Sequence, residues 1–415
     1  MNTAVRNEPF FRYIYDCGSK SGGFALEDSI AAYAKSLGPK KIVDALFLSH
    51  IDADHVNGLH SLFTTHGVDA KHIFLPLLTP VDRLLSLARG GLEISNFAAE
   101  MVIDPKAALS NVSSARIVTV QSSGEPSRDP EGEPVYDLAL GNDDNALDNM
   151  PRAEVFGPPD IWSDGGAGDI TMGDSAVIRI GKRFPELSWL LGFYVEQTQL
   201  DLSLLFLDEL ADRLDVDSSD IESASPEDIR NWMTDEESSA AIRDSYSAKT
   251  VKAVTNRTSL VVISGPAEPD GNRENVQLGN SEFWNRTGTW LLTGDADMRR
   301  KSEVRRLSDH FGARIMDIDV LALPHHGSSR SFCAALMQIA GKPISIAFAS
   351  AGTSYKKHPA ESVIKDVTAA STIPWIVTES SPTRISATWD SHSKWTPQRS
   401  SKTLGDLPLW YEAMP

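Results

Sequence analysis

The chain has 415 residues, more than the ~250–300 at which one hydrophobic core stops growing, which predicts one large elaborated domain or two and excludes a small disulfide-stapled module. Its 39 basic and 57 acidic residues leave a formal charge of −18, which opposes non-specific attraction to nucleic acid or anionic membranes, so any nucleic-acid contact must be local. The apolar fraction of 41% is that of a folded protein, and two cysteines, Cys17 and Cys333, are too few for a thiolate cluster, so a metal would need imidazole and carboxylate ligands.

Met1 to Tyr15 has no uninterrupted apolar stretch, and no later run reaches the ~18 apolar residues of a membrane span, which predicts a soluble, cytoplasmic protein. Phe10 to Cys17 is aromatic and β-branched, a strand stopping at Gly18, and Phe24 to Leu37 carries apolar residues at helical spacing up to Gly38. The apolar run Ile42 to Leu48 reads as a buried strand ending at Ser49-His50. Further strands are predicted at His72 to Leu78 and Ala115 to Val120, with a helix between Pro80 and Met101, and Ser122 to Pro151 reads as a long exposed loop.

Between about 186 and 254 the text turns helical, with Leu200, Leu204, Leu207, Leu210 and Leu214 at amphipathic spacing and Ser225-Pro226-Glu227 as a helix start. Asp201 to Glu237 holds 13 acidic residues against Arg213 and Arg230. We read it as an acidic insertion whose outer face is solvated, with protein-partner docking as the alternative. Strands return at Ser259 to Ile263, Thr289 to Leu292, Val320 to Leu323, Ile344 to Ala349 and Ile373 to Val377, with helices at about 298–311 and 359–369. The strand-rich text thus covers 1–185 and 255–390 as one domain, and 391–415 reads as a polar C-terminal arm.

The informative stretch is Ser49-His50-Ile51-Asp52-Ala53-Asp54-His55, with four potential ligands in six residues just after a strand. Asp54 could simply cap the following helix. Downstream, Thr293-Gly294-Asp295 and Pro324-His325-His326-Gly327-Ser328 each follow a predicted strand. Either alone is weak, but together the three strand ends supply the carboxylates and imidazoles of a two-metal site.

On these residues the chain resembles the metallo-β-lactamase-fold hydrolases, and within them the nuclease-like domain of the ComEC type of competence protein. Tyr15-Asp16-Cys17-Gly18 looks like the superfamily's opening Asp-x-Gly strand end, and Asp52 in His-x-Asp-x-Asp-His is typical of the ComEC-like branch. Asn256-Arg257-Thr258-Ser259, the Pro-His-His-Gly-Ser run and His358-Pro359 also match. The resemblance implies an α/β fold, a four-layered αββα sandwich with metals at one sheet edge, and leaves the helical segment unmatched. It places His50 and Asp52 on one metal, Asp54, His55 and His326 on the other, and Asp295 between both. The superfamily usually has another metal-binding His before the bridging Asp, yet none stands between His72 and His310, which shifts the expected ions from zinc toward manganese.

Two dications roughly 3.5–4 Å apart can hold a hydroxide and stabilise an in-line displacement. Asp54 would orient it, while His325 and His358 would serve the substrate. Lys356 and Lys357 beside His358 make a basic patch for a phosphate, and Ser328 is counted with the substrate-binding residues. No Gly-x-Ser-x-Gly elbow supports serine chemistry. The expected function is a metal-dependent phosphodiesterase, foremost a nuclease acting on DNA, with no membrane partner. The alternatives are a hydrolase of a lactone, phosphoester or cyclic nucleotide, or an interaction protein of a multi-component system such as defence.

Overall fold

The computed structural model describes residues 11–19, 23–90, 97–127, 134–138, 153–157, 162–164, 169–181, 188–196, 200–247, 258–267, 273–278, 281–285, 288–352, 358–378 and 385–390. Alternation along the strands sets its layers. Tyr13 and Tyr15 face one side of their strand and Ile14 the other, and the same split separates Ala45 and Phe47 from Leu46, Trp290 and Leu292 from Leu291, and Ile346 and Phe348 from Ala347. One set from each sheet meets in a shared core; the other sets are covered by helices, giving an α/β layered sandwich.

The first sheet runs Tyr13–Tyr15, Ile42–Phe47, Asp69–Pro76, Arg116–Gln121, Asp169–Gly173, Trp162–Asp164, parallel except at the last pair. The second runs Ile373–Val377, Ile346–Ser350, Ile318–Ala322, Thr289–Leu292, Leu260–Pro266, Trp189–Val195, Val177–Ile180, Ala153–Phe156, Tyr136–Leu138. Its first four strands are parallel and the rest antiparallel. Arg273–Leu278, Ser281–Asn285 and Ile385–Asp390 form a small third sheet. Between the large sheets Phe47 packs on Phe74 with ring centroids 4.9 Å apart, and Phe74 stacks on Phe193 at 5.8 Å. Each such side chain contributes about 1.5–3 kcal/mol through burial. The Tyr13 and Tyr15 hydroxyls cross the seam to donate to Ser264 Oγ and to the Leu260 carbonyl, both at 2.8 Å.

Several sequence expectations shift. The helix expected from Pro80 to Met101 is two elements, Pro80–Gly90 and Phe97–Ile103, with 91–96 outside the described residues. Tyr136–Leu138, inside the expected long loop, is an edge strand, because pairing with Ala153–Phe156 overrides its loop-like neighbours.

The expected insertion needs the larger correction. Trp189–Val195 is a fully buried strand paired on both sides within the second sheet. Seven consecutive apolar residues fit a buried strand or a helix segment equally, and only the length favours the strand. The helices proper are Leu200–Leu214, Ser218–Glu222, Pro226–Thr234 and Glu236–Ser247, the third opened by the reciprocal Ser225–Asp228 capping box. Phe206, Leu207, Leu210, Ile221, Ile229 and Ile242 belong to the same core as Leu84 and Met101, and Arg230 pairs with Glu100 at 2.9 Å. The bundle is therefore part of the helical layer rather than an appendage. Its outward Asp208, Asp212, Asp215, Asp217, Asp220 and Glu222 are exposed, as expected of a solvated face. Among the described residues no helix is long and apolar enough to cross a membrane. The expected C-terminal arm lies outside the described residues.

Candidate metal centre

The ends of four strands converge at one edge of the sandwich. Tyr13–Tyr15 leads into Asp16, Ile42–Phe47 into Ser49 and His50, Thr289–Leu292 into Asp295, and Ile318–Ala322 into His325 and His326. Asp54 and His55 lie on the short helix Ala53–Val56. Two close approaches hold the edge together. The Leu260 N–H donates to the Ser49 carbonyl at 2.6 Å, joining the sheets, and a Cβ on Gly294, whose φ is +52°, would come within 2.4 Å of Ser49 Cβ. A Cβ on Gly18 would likewise lie 2.6 Å from the Asp54 carbonyl oxygen, which explains the glycine of the opening strand end.

Ser49 and Asp16 set both histidines of the first cluster. Asp16 accepts from Ser49 N–H and Oγ–H, each at 2.6 Å, and from His55 Nδ1 at 2.8 Å. Because the single Ser49 proton goes to Asp16, its oxygen is left to accept from His50 Nδ1 at 2.9 Å. Both rings then carry Nδ1–H and turn Nε2 inward, so that it is Nε2 that would give a lone pair to a metal, the arrangement a metal ligand needs. Those two Nε2 atoms are buried and take no hydrogen bond among the described residues.

Asp295 lies at the centre. His50 Nε2 and His325 Nε2 face its Oδ2 at 3.7 and 3.6 Å, and His55 Nε2 and His326 Nε2 face its Oδ1 at 3.5 and 3.9 Å. These distances are too long for hydrogen bonds. They approach the roughly 3–3.5 Å between neighbouring ligand atoms that each sit about 2.1 Å from one ion. His50, His55 and Asp295 are close enough together to hold a metal ion, their ligand atoms lying within 4.8 Å of one another, as do those of Asp54, His55 and His326. A cavity of about 40 Å³ adjoins them, lined by Tyr15, Asp16, His55, Asp295, His326 and Ser350 among others. A larger one of about 220 Å³, lined by Gly265, Thr289 and Arg314, lies at the opposite ends of the central strands.

The electrostatics favour a cation there. Burial alone would lower His55, but Asp16, Asp295 and Asp54 outweigh it and push its imidazole up to about 10, so without an ion the ring itself takes the positive charge, and a bound ion would displace its Nε2 proton. Burial would raise Asp295, yet His50, His55, His325 and His326 hold its carboxyl well below the ordinary range. Burial leads for His326 and keeps its imidazole below its ordinary value, leaving the ring neutral for ligation.

Of the expected ligands, the structure brings His50, His55 and Asp295 together in one group and Asp54, His55 and His326 in another. Asp52 stands outside both triads. One of its oxygens is taken by Arg89, and the other lies 3.6 Å from His50 Nε2. His325, expected to face substrate, points at Asp295 as its neighbour does. Consecutive left-handed residues, with φ of 48° and 55°, curl both rings inward where an extended strand end would have splayed them. The His358 ring lies 5.5 Å from that of His325. Ser328, expected among the substrate-binding residues, is 3% exposed; its N–H donates to the His325 carbonyl and its Oγ accepts from the Arg330 N–H, closing the turn. Lys356 and Lys357 lie outside the described residues.

Sequence reading left Asp16 without a role, although it sits in the quoted strand-end motif. Its φ of 61° marks it as special only once the backbone is seen. No family model and no curated protein matches this chain.

Proposed function

We propose that this protein is a metal-dependent hydrolase of phosphoesters, foremost a nuclease acting on DNA, using two divalent ions. The observation that carries the reading is the set of four imidazoles around Asp295, with the Nε2 atoms of His50 and His55 buried and their Nδ1 atoms engaged by Ser49 and Asp16. Without a cation, this many buried carboxylates and imidazoles would be costly to fold. Asp54, His55 and His326 are assigned to one ion, His50 and His325 to the other, and Asp295 to both. His325 thus supplies the imidazole that the missing superfamily histidine would have given. When bound, the ions supply Lewis acidity and a water acidified toward neutral pH. Asp16 and Ser49 keep the ligand rings oriented, and His358, beside His325, is assigned to give a proton to the departing oxygen. The resemblance of the motifs to a DNA-degrading domain supports the nuclease assignment.

A second reading, a hydrolase of a small molecule, is favoured by the −18 charge. Purified protein should carry up to two transition-metal ions, zinc or manganese, by elemental analysis, and the double variant Asp54→Ala, Asp295→Ala should carry none. Metal-loaded protein should degrade DNA and stop on chelation. Cleavage of a lactone or cyclic nucleotide with intact DNA favours the second reading, and wild-type protein that takes up no metal overturns both.

A further inference from the structure

Arg89 stands on the last turn of the helix Pro80–Gly90, the helix against which Glu236–Ser247 packs. Its guanidinium hydrogen-bonds one Asp52 oxygen, and the other Asp52 oxygen lies 3.6 Å from His50 Nε2. One carboxylate therefore separates a fixed cation from the metal-facing nitrogen. Asp52 joins neither ligand triad, and its own backbone carbonyl accepts from the N–H groups of His55 and Val56, so it is held at the edge as an anchor. Arg89 keeps 26% of its side chain exposed. Among the described residues the contact with Asp52 is made through one Nη, and the guanidinium fork carries five N–H donors.

The surroundings call for such a group. Asp16, Asp52, Asp54 and Asp295 crowd the edge of a chain with a charge of −18, so an anionic substrate meets repulsion unless cations are fixed beside the reacting position. We propose that Arg89, anchored by Asp52, is the anion-holding group of this site and that its ligand is a non-bridging phosphate oxygen of the substrate. The proposal rests on the hydrolase reading above and narrows it to phosphate esters over neutral lactones and acyl esters. A planar fork suits two phosphate oxygens, whereas a neutral carbonyl gains little from it. Tyr246, on the helix Glu236–Ser247, feels both charges: burial pushes its phenol up, Arg89 pulls it down and Asp52 raises it. The helical layer, which the family resemblance leaves unmatched, thereby supports the substrate side of the site.

The test compares wild type with Arg89→Ala, Arg89→Gln and Arg89→Lys on metal-loaded protein. Inorganic phosphate binding, measured by calorimetry, should weaken roughly tenfold to a hundredfold in Arg89→Ala and Arg89→Gln and less in Arg89→Lys, with metal content unchanged. KM for bis(p-nitrophenyl) phosphate should rise by a similar factor with a smaller change in kcat, while KM for p-nitrophenyl acetate stays put. Should Arg89→Ala fail to fold, the Gln and Lys variants carry the same comparison. Phosphate affinity unchanged in the variants, no phosphate binding by wild type, or loss of metal on removing the guanidinium overturns the proposal. The hydrolase reading falls separately, on absence of metal from wild type, and phosphate titration of that metal-free protein still tests Arg89.

Discussion

Replacing Asp16 by Asn isolates the residue that sets the His55 tautomer. Asn keeps the size of the side chain, and its one oxygen can still accept the Ser49 N–H that Asp16 takes at 2.6 Å. Its NH2 group, however, comes to face His55 Nδ1 and Ser49 Oγ, where the carboxylate accepted from both. Ser49 can rotate its proton away. His55 must move its proton from Nδ1 to Nε2, the atom 3.5 Å from Asp295 Oδ1, and a protonated Nε2 cannot ligate. Metal affinity should fall about 10- to 100-fold, about 1.4–2.7 kcal/mol, the usual cost of removing a carboxylate behind a metal-bound histidine. Competition with a fluorescent chelator measures that loss, and 15N chemical shifts of the His55 ring report the tautomer. Affinity within twofold of wild type, with His55 still protonated at Nδ1, would refute the orienting role.

Gly294→Ala combines a left-handed φ with a 2.4 Å clash on Ser49, and should cost roughly 2–5 kcal/mol in a urea titration, with the metal centre lost before the fold. Burial, then Glu303, push Glu196 up to about 7 against the pull of Arg306. The folded state therefore holds a proton that the unfolded state has released, and the stability this gives is full below about pH 4.5 and lost by pH 7, about 3 kcal/mol in all. Glu196→Gln should flatten that slope and exceed wild type at pH 8 in urea midpoints; parallel curves refute it. Replacing 200–247 by a Gly/Ser linker should give aggregated protein on size-exclusion chromatography, since it strips Phe206, Leu210 and Ile242 from a core they share with Leu84; a monodisperse product with native circular dichroism refutes this.

The sandwich and the place of the site were legible because each chemical motif follows a short apolar run, and such runs mark strand ends without any knowledge of pairing. What stayed hidden depended on long-range partners. Trp189–Val195 is a strand because Val177–Ile180 and Leu260–Pro266 flank it, and nothing local separates it from the helices that follow. Asp16 gains its role from Ser49 and His55, more than 30 positions away. The inward turn of His325 comes from backbone angles that two histidines seldom adopt together, so side-chain spacing pointed the wrong way. Ser328 reads in the sequence as a substrate contact beside the imidazoles, and only the fold shows its N–H and Oγ engaged within its own turn.

The hydrogen bond from Leu260 to Ser49 and the seating of Gly294 against Ser49 make this edge the place where the two sheets are clasped. Groups from the first sheet, His50 and His55, face Asp295 from the second, so an ion held there is a staple across the layers and its binding energy adds to their cohesion. With an ion bound, opening of this edge and loss of the ion would be one event. Withdrawing such an ion would loosen the clasp first, exposing the segments around Ser49 and Gly294 to proteases, so the lifetime of the folded chain would follow the supply of that ion.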